Sequence, residues 1–148
     1  MSSTSVFSKI IAGELPGRFV WQDEVCVAFL TIQPITDGHC MVVPREEIVQ
    51  WTDASPEVNA HLMDVAQKIA QAQQAEWEAP RVGLLCEGFL VPHLHVHTWP
   101  AFSMEDFDPH RVQNDVPDAK FEEVAERLRS RLRAMGHEAN VTGPGPLA

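Results

Sequence analysis

Positive charge is scarce in this chain: 11 Lys and Arg stand against 21 Asp and Glu, a formal net charge of −10. That balance argues against a nucleic-acid polymer as partner, because polymer phosphates are held by clustered cations. It leaves small nucleotides open, since a site can be locally cationic in an acidic protein. Cysteine is equally thin. Cys26, Cys40 and Cys86 are odd in number, widely spaced and without a C-x-x-C pair, which argues against a disulfide framework. No run reaches the roughly 18 apolar residues of a membrane span. The opening Met1-Ser2-Ser3-Thr4-Ser5 lacks the basic start and long apolar stretch of a signal peptide. These absences lead us to expect a cytoplasmic protein with no membrane partner. The 148 residues suit one domain with a sizeable core, and 45% hydrophobic content is ordinary for a globular chain.

The distinctive stretch is Pro92-His93-Leu94-His95-Val96-His97-Thr98-Trp99-Pro100. Strand side chains alternate faces. On a strand, His93, His95 and His97 project from one face and Leu94, Val96 and Thr98 from the other. A helix would splay neighbouring members by roughly 200°. Three imidazoles stacked on one face without a function carry repulsion and desolvation costs. The run therefore points to metal binding or to phosphoryl or nucleotidyl chemistry. All three rarely reach one ion from a straight strand, since the run spans about 13 Å while Zn–N bonds are about 2 Å.

The rest of the chain supplies a frame. Val6 to Ala12, closed by Gly13, reads as a short helix with Phe7, Ile10 and Ile11 on its apolar face. Residues 18–21 and 25–30 read as a hairpin, and 39–43 as a third strand stopped by Pro44. Taken alone, His39 is an edge or capping residue. Ser55-Pro56 starts a helix running to about Glu78, with Val58, Leu62, Val65, Ile69 and Ala72 at helical spacing. Residues 82–86 are a fourth strand. An amphipathic helix spans about 118–135, where Arg127, Arg129, Arg131 and Arg133 read as a solvated face. A flexible tail covers 136–148. The expected fold is α+β, with an antiparallel sheet of about five strands, one long helix, a short N-terminal helix and a C-terminal helix.

The pattern His93-x-His95-x-His97 with apolar spacers resembles the histidine triad (HIT) family of nucleotidyl hydrolases and transferases. Phe7 to Pro16 looks like that family's opening helix and turn, Val27 to Pro34 like its second strand and loop, and Gly38 to Pro44 like its third strand. The resemblance covers residues 6–100 and implies a single domain of 1–148 with its core at about 6–101. It implies that His95 attacks the α-phosphorus of a purine nucleotide conjugate and forms a covalent nucleotidyl-histidine that water hydrolyses. Its other ring nitrogen would be held by a backbone carbonyl of the same strand. His97 and His93 would contact phosphate or pass a proton, with His39 in support. Phe7, Ile10, Phe29, Thr31, Ile32, Cys86 and Gly88 would line the nucleotide. The resemblance also implies a homodimer through the long helix and fourth strand, with Trp51, Trp77 and Trp99 as candidates for burial there. No cofactor or metal is expected.

The chain departs from the family in three places. Thr31 stands where many members carry an acidic residue for the ribose, and Cys86 where many carry Asn. The loop Gly88-Phe89-Leu90-Val91-Pro92 is short and apolar where relatives have a polar phosphate loop. Some bacterial members hold zinc through two N-terminal cysteines, at positions that read Ser5 and Ser8 here. Two other functions stay open: a nucleotide-binding module with little turnover, and a metal-dependent enzyme using His93 and His95 as ligands.

Overall fold

The computed structural model describes residues 4–141. Three helices pack with one five-stranded sheet: α1 (Val6–Ile11), β1 (Phe19–Gln22), β2 (Cys26–Leu30), β3 (Cys40–Pro44), α2 (Pro56–Trp77), β4 (Arg81–Leu85), β5 (Val96–Ala101) and α3 (Asp118–Ala134). The strand order is β1-β2-β3-β5-β4, with every neighbouring pair antiparallel. This is the expected α+β architecture.

The helix starts follow from their caps. The Ser5 hydroxyl accepts the Ser8 N–H at 3.0 Å, and the Ser55 hydroxyl accepts the Val58 N–H at 3.1 Å with Pro56 in the first turn. The sheet then separates two apolar layers. On one face Ala28 of β2, Val42 of β3, Val96 of β5 and Leu94 just before it pack against Leu62, Val65 and Ile69 of α2 and Phe121, Val124 and Leu128 of α3. On the other, Phe19, Val27, Phe29, Met41 and Val43 gather beneath Phe7 of α1. Because α3 shares the α2 layer, the C-terminal helix belongs to the same core as the sheet.

Four expectations need correction. The histidine strand begins at Val96, not at the start of the run. Before it, Pro92 has no N–H to give, and the N–H groups of His93 and Leu94 donate to the carbonyls of Val91 (2.8 Å) and Ile48 (2.6 Å) rather than to β3. His93 and His95 thus sit in an irregular lead-in, and only His97 is on the strand. The arginines of α3 are not all solvated. Arg129 is 1% exposed, with Nε donating to the Phe19 carbonyl at 2.8 Å, because it falls on the same helix face as Phe121, Val124 and Leu132. Trp99 is buried within the chain, its ring lying so close to Gly83 that a Cβ there would stand 2.2 Å away. Trp77 packs under the Arg127 guanidinium at 4.7 Å and over Gly38, leaving Trp51, 56% exposed, as the one tryptophan of the three free for a partner. Of the expected tail, residues 138–140 form a 3-10 turn tied back by Asn140 Nδ2 to the Gln22 carbonyl at 3.0 Å; residues 142–148 lie outside the described residues.

Candidate active site

Backbone donors dictate the proton positions on the histidines. An amide N–H can only donate, and the Ile35 N–H points at His39 Nδ1 from 3.0 Å. His39 Nδ1 is therefore an acceptor, and its proton sits on Nε2. His39 Nε2 lies 2.9 Å from His97 Nδ1, so it donates there. His97 in turn keeps its proton on Nε2. A carbonyl can only accept, and the His93 carbonyl lies 2.7 Å from His95 Nδ1. His95 thus carries a proton on Nδ1, the tautomer whose lone pair is on Nε2. A lone pair on His95 and an N–H on His97 result, on imidazoles whose ring centroids are 4.8 Å apart.

Burial keeps the supporting pair neutral. It pushes His39 down to about 3, with His97 adding to the effect. It pushes His97 down to about 4, with His95 adding and Glu87 opposing. A residue absent from the sequence reading holds their backbones. Gln73 of α2, fully buried, donates through Nε2 to the carbonyls of Gly38 (2.7 Å) and Thr98 (2.9 Å), and accepts the Thr98 hydroxyl at 3.1 Å. It clamps the residues beside His39 and His97. Only the run of small and apolar residues around it on α2 hinted that position 73 faces inward.

His95 and His97 open into a cleft of about 490 Å³, within the usual size of small-molecule sites. Phe7, Ile10, Phe29, Thr31 and Ile32, the residues the resemblance placed around a nucleotide, all line it. Phe7 meets the His95 ring edge-on at 4.8 Å and Phe29 at 5.6 Å. Ile32 is 72% exposed at the mouth, whereas Thr31 is buried and its hydroxyl accepts the Gln33 N–H at 3.2 Å. Leu15, Arg18, Gln33, Met41, Glu87 and Leu90 also line the cleft and were not singled out from the sequence.

Three expected residues lie elsewhere. His93 is fully buried outside the cleft lining, with Nε2 on the Pro44 carbonyl at 2.8 Å and Nδ1 on the Ser5 hydroxyl at 2.6 Å. Both nitrogens are spent on protein, so none remains for a phosphate or an ion. Its contribution is its carbonyl, which orients His95. Ser5 and Ser8 join this knot through Glu47, which accepts the Ser5 N–H at 2.6 Å and the Ser8 hydroxyl at 2.9 Å. Cys86 faces a separate groove with Trp51, Leu62 and Met63, on the α2 side of the sheet. Gly88 is a turn residue outside the cleft lining: its φ is +72°, a conformation that favours glycine, and its nearest neighbours are the Val49 and Val91 carbonyl oxygens.

Two groups of side chains could offer a metal ligand atoms within 4.8 Å of one another among the described residues. In the first, Asp23, Cys26 and His61, the Asp23 carboxylate already accepts from Trp21 Nε1, His61 Nε2 and the backbone N–H groups of Val25 and Cys26. Burial raises Asp23, yet these donors overcome it and hold the carboxyl at about 2. It is a saturated hub that fixes the β1–β2 turn to α2. The second is Glu87, His95 and His97. His97 Nδ1 there is already taken by the His39 Nε2–H, and Nε2 of this tautomer carries the proton and offers an ion no lone pair.

The HIT domain family model matches residues 12–104. This chain belongs to the HIT family. A HIT-like protein of Mycobacterium tuberculosis is 35% identical over 100 residues, covering 64% of this chain and 69% of its own. Among solved structures, a zinc-bound histidine triad family protein from Mycobacterium smegmatis superposes with a TM-score of 0.76 at 28% identity, covering 91% of this chain and 97% of its own. A histidine triad nucleotide-binding protein from Sulfolobus tokodaii reaches 0.78 at 25% identity, covering 87% and 92%. Within this HIT fold, His95 and His97 are the triad members that face the cleft, and His93 is the one that builds it.

Proposed function

We propose that this HIT protein cleaves purine nucleotide conjugates at the α-phosphate through a covalent nucleotidyl-His95. The observation that carries the reading is the 2.7 Å bond from His95 Nδ1 to the His93 carbonyl, which selects the tautomer with its lone pair on Nε2 for a ring that lines the cleft. In the first step that lone pair forms a bond to the α-phosphorus. The bond from phosphorus to the leaving atom breaks, and its electron pair goes with the leaving group. His97 Nε2–H donates a hydrogen bond to a phosphate oxygen or to the leaving atom and stabilises the charge that builds there. A basic leaving atom draws its proton from water. Hydrolysis of the phosphorus–nitrogen bond then releases the mononucleotide and restores His95.

Phe7, Ile10, Phe29 and Ile32 support recognition of a purine by burial and edge contacts rather than by reading base edges, so discrimination between adenine and guanine is modest. Thr31 offers the ribose a neutral hydroxyl. The relative from Sulfolobus tokodaii, named as nucleotide-binding, favours the same ligand class.

The decisive experiment is His95→Asn, tested on adenosine phosphoramidates and dinucleoside polyphosphates. We expect mononucleotide release to fall at least about 10³-fold while nucleotide affinity stays within a few-fold. Turnover near the wild-type rate would reject the covalent route. Tight binding with no release by the wild-type chain would instead leave a nucleotide-binding module, a reading favoured by the apolar loop whose Phe89 and Leu90 are each 91% exposed.

A homodimer belongs to the same proposal. β4 is an edge strand, and beside it Trp51, Met63 and Leu84 are about half exposed around a groove of about 420 Å³. An unpaired strand edge beside exposed apolar side chains is suited to pairing with a second copy. The proposal also takes the whole chain as one domain, supported by the core that α3 shares with α2 and the sheet. A cytoplasmic location is supported by three unpaired thiols. No helix among the described residues is long and apolar enough to cross a membrane.

A further inference from the structure

The second chemical step needs a group to take a proton from the attacking water, and the locked tautomers limit the choice. His39 Nδ1 is occupied by the Ile35 N–H, and His97 Nδ1 by the His39 Nε2–H. His97 therefore presents an N–H to the cleft and has no lone pair there to receive a proton. His95 Nε2 is itself bonded to phosphorus at that stage. His93 has both nitrogens spent on Ser5 and Pro44. Arg18 is a cation engaged by Glu122 and Asp118. Among the described residues that line the cleft, one Brønsted base remains: Glu87.

Its placement suits the task. A carboxylate oxygen of Glu87 lies within 4.8 Å of ring nitrogens of both His95 and His97. One oxygen, Oε2, is anchored by the Phe89 N–H at 3.0 Å, and Gly88, at φ +72°, makes the tight turn that this bond closes. The side chain is exposed, so a proton it accepts can pass to solvent. A carboxylate at this place costs affinity for an anionic nucleotide by like-charge repulsion, a cost that a gain in a later step offsets.

We propose that Glu87 is the general base for hydrolysis of the nucleotidyl-His95 intermediate, an inference that rests on the covalent reading above. Water enters on the face of the phosphorus that the leaving group vacated. Its oxygen forms the new bond to phosphorus while one of its protons passes to the Glu87 carboxylate. The bond from phosphorus to His95 Nε2 breaks, and its electron pair returns to the nitrogen. Glu87 then loses the proton to solvent, so charge and atoms balance over the cycle. The first step does not use Glu87 as a base, and this asymmetry separates its role from a structural one.

The test is rapid-mix kinetics on Glu87→Gln with an adenosine phosphoramidate whose amine is fluorescent. We expect a burst of about one amine per site at a near-normal rate, followed by steady turnover about 10²-fold slower. Mass spectrometry of the quenched protein should find the nucleotidyl group on His95. Affinity for the free mononucleotide should rise a few-fold as the like charge is removed, a split between binding and turnover that a folding defect does not produce. In Glu87→Gly, added formate should restore part of the slow phase. Unchanged steady turnover in Glu87→Gln, or loss of the burst together with the slow phase and no rescue by formate, would overturn the assignment. Absence of any burst or turnover in the wild-type chain would remove the covalent reading itself, and this inference with it.

Discussion

His39 shows how much a single backbone amide can decide. The Ile35 N–H fixes one tautomer, and that choice passes through His39 to the face of His97 that meets the cleft. Both rings sit far below the usual imidazole range of about 6.5, at about 3 and about 4, because burial penalises their charged forms. The consequence for stability has a definite sign. Between about pH 6.5 and about 4 the unfolded chain binds protons on these histidines that the folded chain does not, so acid favours unfolding. Their contribution is complete above about pH 6.5 and is lost as the pH falls toward the folded values. Asp23, ordinarily near 3.8 and held at about 2, joins only below about pH 4. Urea unfolding should therefore report lower stability at pH 5 than at pH 7, and His97→Gln should flatten that difference. An equal pH dependence in the variant would show that the acid sensitivity lies elsewhere.

At the scale of elements, the sheet edge carries the next prediction. Leu84 on β4 is 51% exposed and borders the groove that holds Trp51 and Met63. Lysine is a common guard of edge strands. Leu84→Lys should convert the proposed dimer to a monomer by light scattering at micromolar concentration, and a variant that stays dimeric would move the interface off β4. Most elements were legible in the sequence because their signals are local: Ser55-Pro56 at the start of α2, Pro44 at the end of β3, and strict alternation of Leu94, Val96 and Thr98 on the core face. What escaped was set by contacts distant in sequence. The lead-in before Val96 depends on the Ile48 carbonyl, 46 residues away, and the burial of Arg129 on the Phe19 carbonyl, 110 residues away. The candidate site divides the same way. His95, His97, His39 and the apolar cleft residues came from pattern and resemblance. Cys86 and Gly88 were misplaced, and Glu87 and Gln73 missed, because loop path and helix rotation alone decide where they face.

For the molecule as a whole, charge is the dominant fact. A net charge of −10 repels an anionic nucleotide over a distance that salt shortens, from about 14 Å at ~50 mM to about 7 Å at ~200 mM. Raising salt across that range should lower KM for the nucleotide conjugate with little change in kcat. A KM that rises instead would mean that a local cationic field outweighs the global one. The knot of Ser5, Ser8, Glu47 and His93 has a further consequence. It ties the start of α1 to the residue whose carbonyl aims His95, 88 positions along the chain from Ser5. A helix of 6 residues has little stability of its own and persists through such ties. Loss of α1 would remove Phe7 and Ile10 from one wall of the cleft and the Ser5 hydroxyl from His93 together. One short helix thus supports both the apolar lining of the cleft and the segment that orients His95, so a substitution at Ser5 should be felt at both.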